Sequence, residues 1–152
     1  IMIIQDLLER ILIDQRLVII DQNSSAFDAA VSMLKNKCGA LLVCDSKDEG
    51  TLLGIISERD LTFRVIPKNL DPKKTKVSKI MTKDVLTISP RKTTVDAIQM
   101  MKSKGFRHLP VVEKKKIVGI LSMRDLYDYA NKDLEDSLKK HQEFMFGTGY
   151  GS

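Results

Sequence analysis

Apolar residues follow two alternating rhythms along this chain. Leu17 to Ile20, Ala40 to Cys44 and Leu52 to Ile56 are short apolar runs of strand length. Between the first two, Phe27, Ala30, Val31 and Leu34 fall at i, i+3, i+4 and i+7, the spacing of one helix face. The same order then returns. Val85 to Ile88 reads as a strand, and Val95, Ile98 and Met101, with Ala97 and Met100 alongside, read as a helix stripe in which Met fills a core. Leu109 to Val112 and Ile117 to Leu121 read as a hairpin. The polar segments Asp45 to Thr51 and Glu113 to Lys116 turn the two hairpins. Ser25 with Asp28, and Thr93 with Asp96, fit a capping box that starts each first helix, and a second helix starts at Ser57 or Ser122. The predicted order is β-α-β-β-α, twice.

The two halves share residues as well as rhythm. Gly54-Ile55-Ile56-Ser57-Glu58-Arg59-Asp60-Leu61 recurs as Gly119-Ile120-Leu121-Ser122-Met123-Arg124-Asp125-Leu126, six of eight positions being identical. Upstream, Asp28-Ala29 matches Asp96-Ala97, Met33 matches Met101, and Leu41 and Val43 match Leu109 and Val111. The offset is 68 residues early and 65 late, so the second copy has the shorter hairpin loop. Two copies make a duplicated domain rather than a solenoid. The expected division is a first repeat with its N-terminal segment over 1–66, a connector over 67–84 punctuated by Pro67 and Pro72, a second repeat over 85–132, and a helical tail over 133–152. A single copy is marginal on its own. The expected fold is therefore α+β, two repeats packed as a pseudo-twofold pair around one shared core, with a cleft where their loops meet.

Composition narrows the classes. The chain has 152 residues, 43% hydrophobic and 30% charged, which argues against disorder and against a membrane span. Gln5, Asp6, Glu9 and Arg10 interrupt the first apolar stretch, so no signal peptide is read and the expected compartment is the cytosol. The net charge of +5 is a mild bias, concentrated at Lys68 to Lys79 and Lys114 to Lys116, both read as solvated loops. With three Tyr, five Phe and no Trp, a base-stacking platform is not provided for, and nucleic acid is disfavoured as a partner. Cys38 and Cys44 are too few for a disulfide framework or a four-ligand zinc site and read as small buried hydrophobes. The two His lack metal-ligand spacing, and neither a nucleophile elbow nor a Walker A loop is present, so no catalytic constellation is read.

Chemistry concentrates at the second helix start of each copy. Ser57-Glu58-Arg59-Asp60 and Ser122-Met123-Arg124-Asp125 place a hydroxyl, an Arg and a carboxylate within one turn. Ser-x-x-Asp is by itself a helix cap worth about 1 kcal/mol. Arg59 and Arg124, however, sit at the positive end of a helix dipole, where a cation is disfavoured. A nearby anion would offset this: either a side chain such as Asp60 or Asp125, or a bound phosphate. The two carboxylates would then suit a ribose diol. Gly54 and Gly119 suit a close backbone approach at a strand end.

The repeated Gly-hydrophobic-hydrophobic-Ser-x-x-Asp, the segment Val77-Ser78-Lys79-Ile80-Met81-Thr82 and Arg107-His108-Leu109-Pro110-Val111-Val112 resemble a tandem cystathionine-β-synthase (CBS) domain pair, or Bateman module, over residues 2–148. The resemblance implies an adenosyl ligand (AMP, ADP, ATP, NAD or S-adenosylmethionine) and no catalysis. It implies a first site with Ser57, Arg59 and Asp60, adenine contacts at Ile19 and Ile20, and Gly39 and Ala40 at the position before the strand. It implies a second site with Ser122, Arg124 and Asp125, adenine contacts at Leu86 and Thr87, and Arg107 and His108, with Leu109 and Pro110 following, facing phosphate. The second site is expected to favour charged phosphates more strongly. The resemblance further implies a homodimer of two modules and a regulated partner protein. Leu138, Phe144, Met145 and Phe146 suit either a dimer contact or packing on their own module. The alternative reading is a ligand-independent adaptor, redox-linked through Cys38 or Cys44; a nucleic-acid binder using Lys68 to Lys79 ranks below it.

Overall fold

A computed structural model describes residues 2–14 and 18–146. The elements are α1 (Ile4–Asp14), β1 (Ile19–Asp21), α2 (Ala26–Asn36), β2 (Ala40–Asp45), β3 (Asp48–Ser57), α3 (Glu58–Arg64), α4 (Val77–Ile80), α5 (Thr94–Lys104), β4 (His108–Glu113), β5 (Lys116–Ser122) and α6 (Met123–Phe146). The sheet order is β1-β2-β3-β5-β4. β1 pairs parallel to β2, each hairpin is antiparallel, and in the sheet the two halves join at the hairpin tips, where Thr51 pairs with Lys116. The α+β architecture of two packed repeats is as expected.

Helix starts obey the capping chemistry. Ser25 Oγ accepts from Asp28 N–H, and Thr93 and Asp96 form a full reciprocal box. The helix ends differ: Lys37 closes α2 at φ 52°, where α5 uses Gly105 at φ 72°.

Four sequence expectations are corrected. First, Val85 to Ile88 is not a strand; only Ile88 bridges Val111. In the first repeat Leu42 N–H donates to Val18 C=O and Gln22 N–H to Cys44 C=O. The residues 68 further on are Pro110 and Pro90, which have no N–H to give. Both donors that would extend the second parallel ladder are therefore missing. Second, β1 begins at Ile19; Leu17, expected within it, lies outside the described residues. Third, the apolar stripe of α2 does not face the core. Phe27 and Val31 are each 43% exposed and Leu34 82%, while Ala26, Ala29 and Met33 are buried. Fourth, there are two cores and not one.

Those two cores explain the N-terminal segment and the connector. Helix α1 contributes Ile4, Leu7 and Leu8 to the cluster around Met101, Leu109, Val111 and Leu121 of the second repeat. Helix α4 contributes Val77 and Ile80 to the cluster around Met33, Leu41, Val43 and Ile56 of the first. Matching hydrogen bonds seat the two helices. Ile4 N–H donates to Lys92 C=O as Val77 N–H donates to Ser24 C=O, and Thr94 N–H donates to Met2 C=O as Ala26 N–H donates to Thr75 C=O. Each repeat is thus completed by a helix that precedes the other repeat in the chain.

Glycine serves these junctions. A Cβ on Gly54 would lie 2.7 Å from Thr82 O and 2.8 Å from Met81 Sδ, and one on Gly119 would lie 2.7 Å from Leu8 Cδ2. The close approach read from the sequence is present at both, against Met81 and Thr82, which follow α4, in one case and against α1 in the other.

Candidate functional site

Within one hairpin the strand opening and the helix-start turn are direct neighbours: Ala40 pairs with Ser57, and His108 with Ser122. No space separates them there. Space opens between repeats. A cleft of about 600 Å³ is lined by Val18, Asn36, Lys37, Cys38, Gly39 and Ala40 from the first repeat, and by His108, Ile120, Ser122, Arg124, Asp125 and Asp128 from the second. This size suits a small-molecule ligand. The sequence pattern groups Gly39 and Ala40 with Ser57 and Asp60; the structure places them opposite Ser122 and Asp125, so the pairing is crossed. The cleft gathers Gly39, Ala40, His108, Ser122, Arg124 and Asp125 of the expected residues.

The other expected residues lie elsewhere. Ile20 and Leu109 are core residues, and Ile19 is 39% exposed on β1. Pro110 is buried on the edge strand β4, its carbonyl accepting from Ile88 N–H. Thr87 is exposed, Leu86 packs on the second core, and Arg107 is exposed beside His108, its carbonyl accepting from Met123 N–H. Sequence reasoning misses Lys37, Asn36 and Asp128. For Lys37 and Asn36 the sequence offers no signal beyond their position at the end of α2.

The two Ser-x-x-Asp turns, near-identical in sequence, are in different states. Asp60 is 7% exposed. Its Oδ2 accepts from Ser57 N–H (2.9 Å) and Ser57 Oγ–H (3.3 Å), and its Oδ1 accepts from Thr82 Oγ1–H (3.3 Å) and lies 3.6 Å from Arg64 Nε. Arg64 is anchored by donating to the carbonyls of Ile80 and Met81. Both carboxylate oxygens are consumed inside the fold. Asp125 Oδ2 accepts from Ser122 N–H (3.0 Å), and Ser122 Oγ accepts from Asp125 N–H (3.0 Å). No described residue hydrogen-bonds to Asp125 Oδ1, and the side chain lines the cleft. The cause is legible: 65 residues beyond Arg64 stands Tyr129, which supplies no cation.

The arginines diverge likewise. Arg59, expected to face phosphate, stacks over the Phe63 ring at 5.4 Å, a cation–π contact that satisfies it locally. The residue 65 beyond Phe63 is Asp128, and Arg124 and Asp128 both line the cleft. Burial holds the His108 imidazole below its usual range. The Asp125 and Glu58 carboxylates pull it back up, and Arg107 adds to the lowering. Burial also pushes the Cys38 thiol up, opposite to what a reactive thiolate needs. Cys44 is buried, its Sγ 3.8 Å from Ile20 C=O. Cys38 precedes β2, so the two cysteines do not share a strand. Lys68, Lys73, Lys74, Lys76 and Lys79 are exposed along the connector. No group of three or more His, Cys, Asp or Glu suited to a metal ion occurs among the described residues, and no helix among them is long and apolar enough to cross a membrane.

Comparison with known proteins places this geometry. The CBS domain model matches residues 5–66 and 77–132. The mitochondrial CBS domain-containing protein CBSX3 of Arabidopsis thaliana is 31% identical over 130 residues, covering 84% of this chain and 63% of that protein. The chain thus spans somewhat less than two thirds of that relative's length. Among solved structures, the CBS-domain protein ATU1752 of Agrobacterium tumefaciens is 32% identical, with a TM-score of 0.75 over 85% of this chain and 99% of that one. Two structures share the fold at 23% identity. The Pyrobaculum aerophilum CBS domain protein PAE2072, complexed with AMP, has a TM-score of 0.72 over 82% of this chain and 89% of its own. The CBS domain pair of MJ0100, in complex with 5′-methylthioadenosine and S-adenosyl-L-methionine, has a TM-score of 0.74 over 88% and 98%. With two matched segments that together cover most of its length, the chain belongs to the CBS domain family.

Proposed function

We propose that this chain is a regulatory, non-catalytic module that binds an adenosyl ligand in the cleft between its repeats. The observation that carries the reading is Asp125. Its backbone-facing oxygen is held by Ser122 N–H, and its carboxylate lines a cleft of about 600 Å³ opposite Gly39 and Ala40. A carboxylate so oriented accepts two hydroxyls of a ribose, while main chain across the cleft meets the base. The AMP and S-adenosylmethionine complexes of two fold neighbours support this class of ligand. One site per chain is proposed, because Asp60 is already saturated by Ser57, Thr82 and Arg64.

Ligand contacts with both repeats bias their relative packing, and the signal is bounded by the ligand's differential affinity for the two arrangements. Isothermal calorimetry with AMP, ATP, NAD and S-adenosylmethionine tests the reading. One ligand per chain is expected for at least one of them, with a loss of about 1.5–3 kcal/mol in Asp125→Ala. No heat from any of the four would refute it. We propose in addition that the module forms a homodimer. Phe27, Val31 and Leu34 expose one apolar stripe of α2, and Leu134, Leu138 and Met145 expose another on α6. Sedimentation of wild type as a dimer, and of Val31→Glu/Leu34→Glu as a monomer, is the expected result; a monomeric wild type would refute it.

A further inference from the structure

The lining of the cleft carries as many acids as permanent cations. Lys37 and Arg124 are matched by Asp125 and Asp128, and His108 and Cys38 are the remaining titratable groups. Just outside, Glu58 and Arg107 act on His108 with opposite signs. Glu58 is held there by its own N–H, which donates to Gly39 C=O at 2.9 Å, and its carboxylate packs on Gly39, 3.2 Å from where a Cβ would stand. A polyphosphate would enter a site with no net positive charge and lose its hydration against three carboxylates.

Arg124 and Asp128 are one helical turn apart, on one face of α6, and both line the cleft. Neither forms an ion pair within 4.0 Å with the other or with any described residue. Arg124 also opposes the helix dipole in the first turn of α6, and its order relative to Asp128 is the less favourable one for an i,i+4 pair. In the first repeat the same two positions are Arg59 and Phe63, which satisfy each other by stacking. The cleft thus presents a guanidinium and a carboxylate side by side, both available.

We propose that the ligand is an adenosyl compound whose 5′ substituent ends in a zwitterionic α-amino acid, Arg124 taking its carboxylate and Asp128 its ammonium, and that the site rejects di- and triphosphates. The proposal rests on the adenosyl reading above and narrows it. It reverses the expectation that this site favours charged phosphates.

Calorimetry on the full chain at matched ionic strength tests it with three probes: S-adenosylhomocysteine, 5′-methylthioadenosine, which lacks the amino-acid group, and ATP. S-adenosylhomocysteine is expected to bind at least about tenfold more tightly than 5′-methylthioadenosine, the worth of one charge-assisted pair. ATP is expected to bind more weakly than both. Arg124→Gln and Asp128→Asn are each expected to weaken S-adenosylhomocysteine to the level of 5′-methylthioadenosine while leaving the latter unchanged. Equal affinity for the two adenosyl thioethers, tighter binding of ATP, or variants that retain the difference would each overturn the proposal and leave the adenosyl reading standing. Silence from all three probes would overturn the proposal, and would overturn the adenosyl reading as well where AMP, NAD and S-adenosylmethionine are also silent.

Discussion

Asp60 and Asp125 occupy the same position of a repeated motif, and the structure predicts opposite consequences for removing them. In Asp60→Ala the Ser57 Oγ cap remains, and the Ser57 N–H loses its carboxylate acceptor, about 1 kcal/mol. The Ser57 and Thr82 hydroxyls, both partly buried, also lose an acceptor at 3.3 Å, adding roughly 1–2 kcal/mol. Arg64 loses a partner at 3.6 Å, but its side chain is 45% exposed, so solvent screens most of that term. The total is about 2–3 kcal/mol, or a fall in Tm of roughly 5–10 °C for a chain of this size. In Asp125→Ala the Ser122 Oγ cap remains and only the Ser122 N–H loses its acceptor, about 1 kcal/mol and roughly 2–4 °C. Ligand affinity reverses the order: it falls in Asp125→Ala and is unchanged in Asp60→Ala. Urea unfolding of the ligand-free proteins, read alongside calorimetry of the folded ones, measures both axes. Equal destabilisation by the two variants, or loss of binding confined to Asp60→Ala, would refute the assignment of one aspartate to structure and the other to the cleft.

Three further outcomes are expected. Gly54→Ala should be clearly more destabilising than Gly119→Ala. The first drives a Cβ to 2.7 Å from the Thr82 carbonyl and the second to 2.7 Å from the end of the Leu8 side chain, which can turn aside; equal midpoints in urea would contradict this. Leu8→Ala should cost about 2–5 kcal/mol, because Leu8 is 5% exposed inside the second core. A surface-like change below about 0.5 kcal/mol would mean that α1 is not part of that core. His108 should make stability depend on pH. Its folded pKa lies below the ordinary 6.5, so the unfolded chain binds more protons between the two values. That contribution is full above pH 6.5 and is lost as pH falls through the folded pKa. The NMR titration midpoint of His108 should lie below 6.5, and His108→Gln should remove this part of the pH dependence; a midpoint above 6.5 would show the sign to be wrong.

What the sequence makes legible is whatever depends on neighbours along the chain. The duplication, the caps at Thr93 and Ser57 and the antiparallel hairpins all follow from local spacing, and all are present. What it conceals depends on which surfaces meet. Helix α2 carries two stripes of similar period, and only packing selects Ala26, Ala29 and Met33 over the larger Phe27, Val31 and Leu34. The small side chains lie inward because the helix sits closely on α4 and β2. The equivalence of α1 and α4 is hidden because one runs eleven residues and the other four, so their registers cannot be aligned by eye. The crossed cleft is concealed for the same reason: proximity in the chain suggests that each turn serves its own strand. In the fold, Ala40 touching Ser57 leaves no room for a third body.

The divergence of the two copies has a physical logic that single positions carry. A duplicated module begins with two equal turns, each holding a carboxylate that must be either satisfied or solvated. In the first copy Arg64 and Thr82 satisfy it, tying α3 to the connector that completes the first core. In the second copy Tyr129 stands where Arg64 would be, and Asp128 where Phe63 would be. These two differences leave Asp125 half-satisfied and set Arg124 loose from a stacking partner, both at the edge of the same cleft. Restoring them separates cause from coincidence. Asp128→Phe should draw Arg124 onto the new ring as Phe63 draws Arg59, and should weaken binding of an amino-acid-bearing adenosyl ligand with little change in stability. If Asp128→Phe binds that ligand as tightly as wild type, the identity of the residue facing Arg124 does not decide what the cleft accepts.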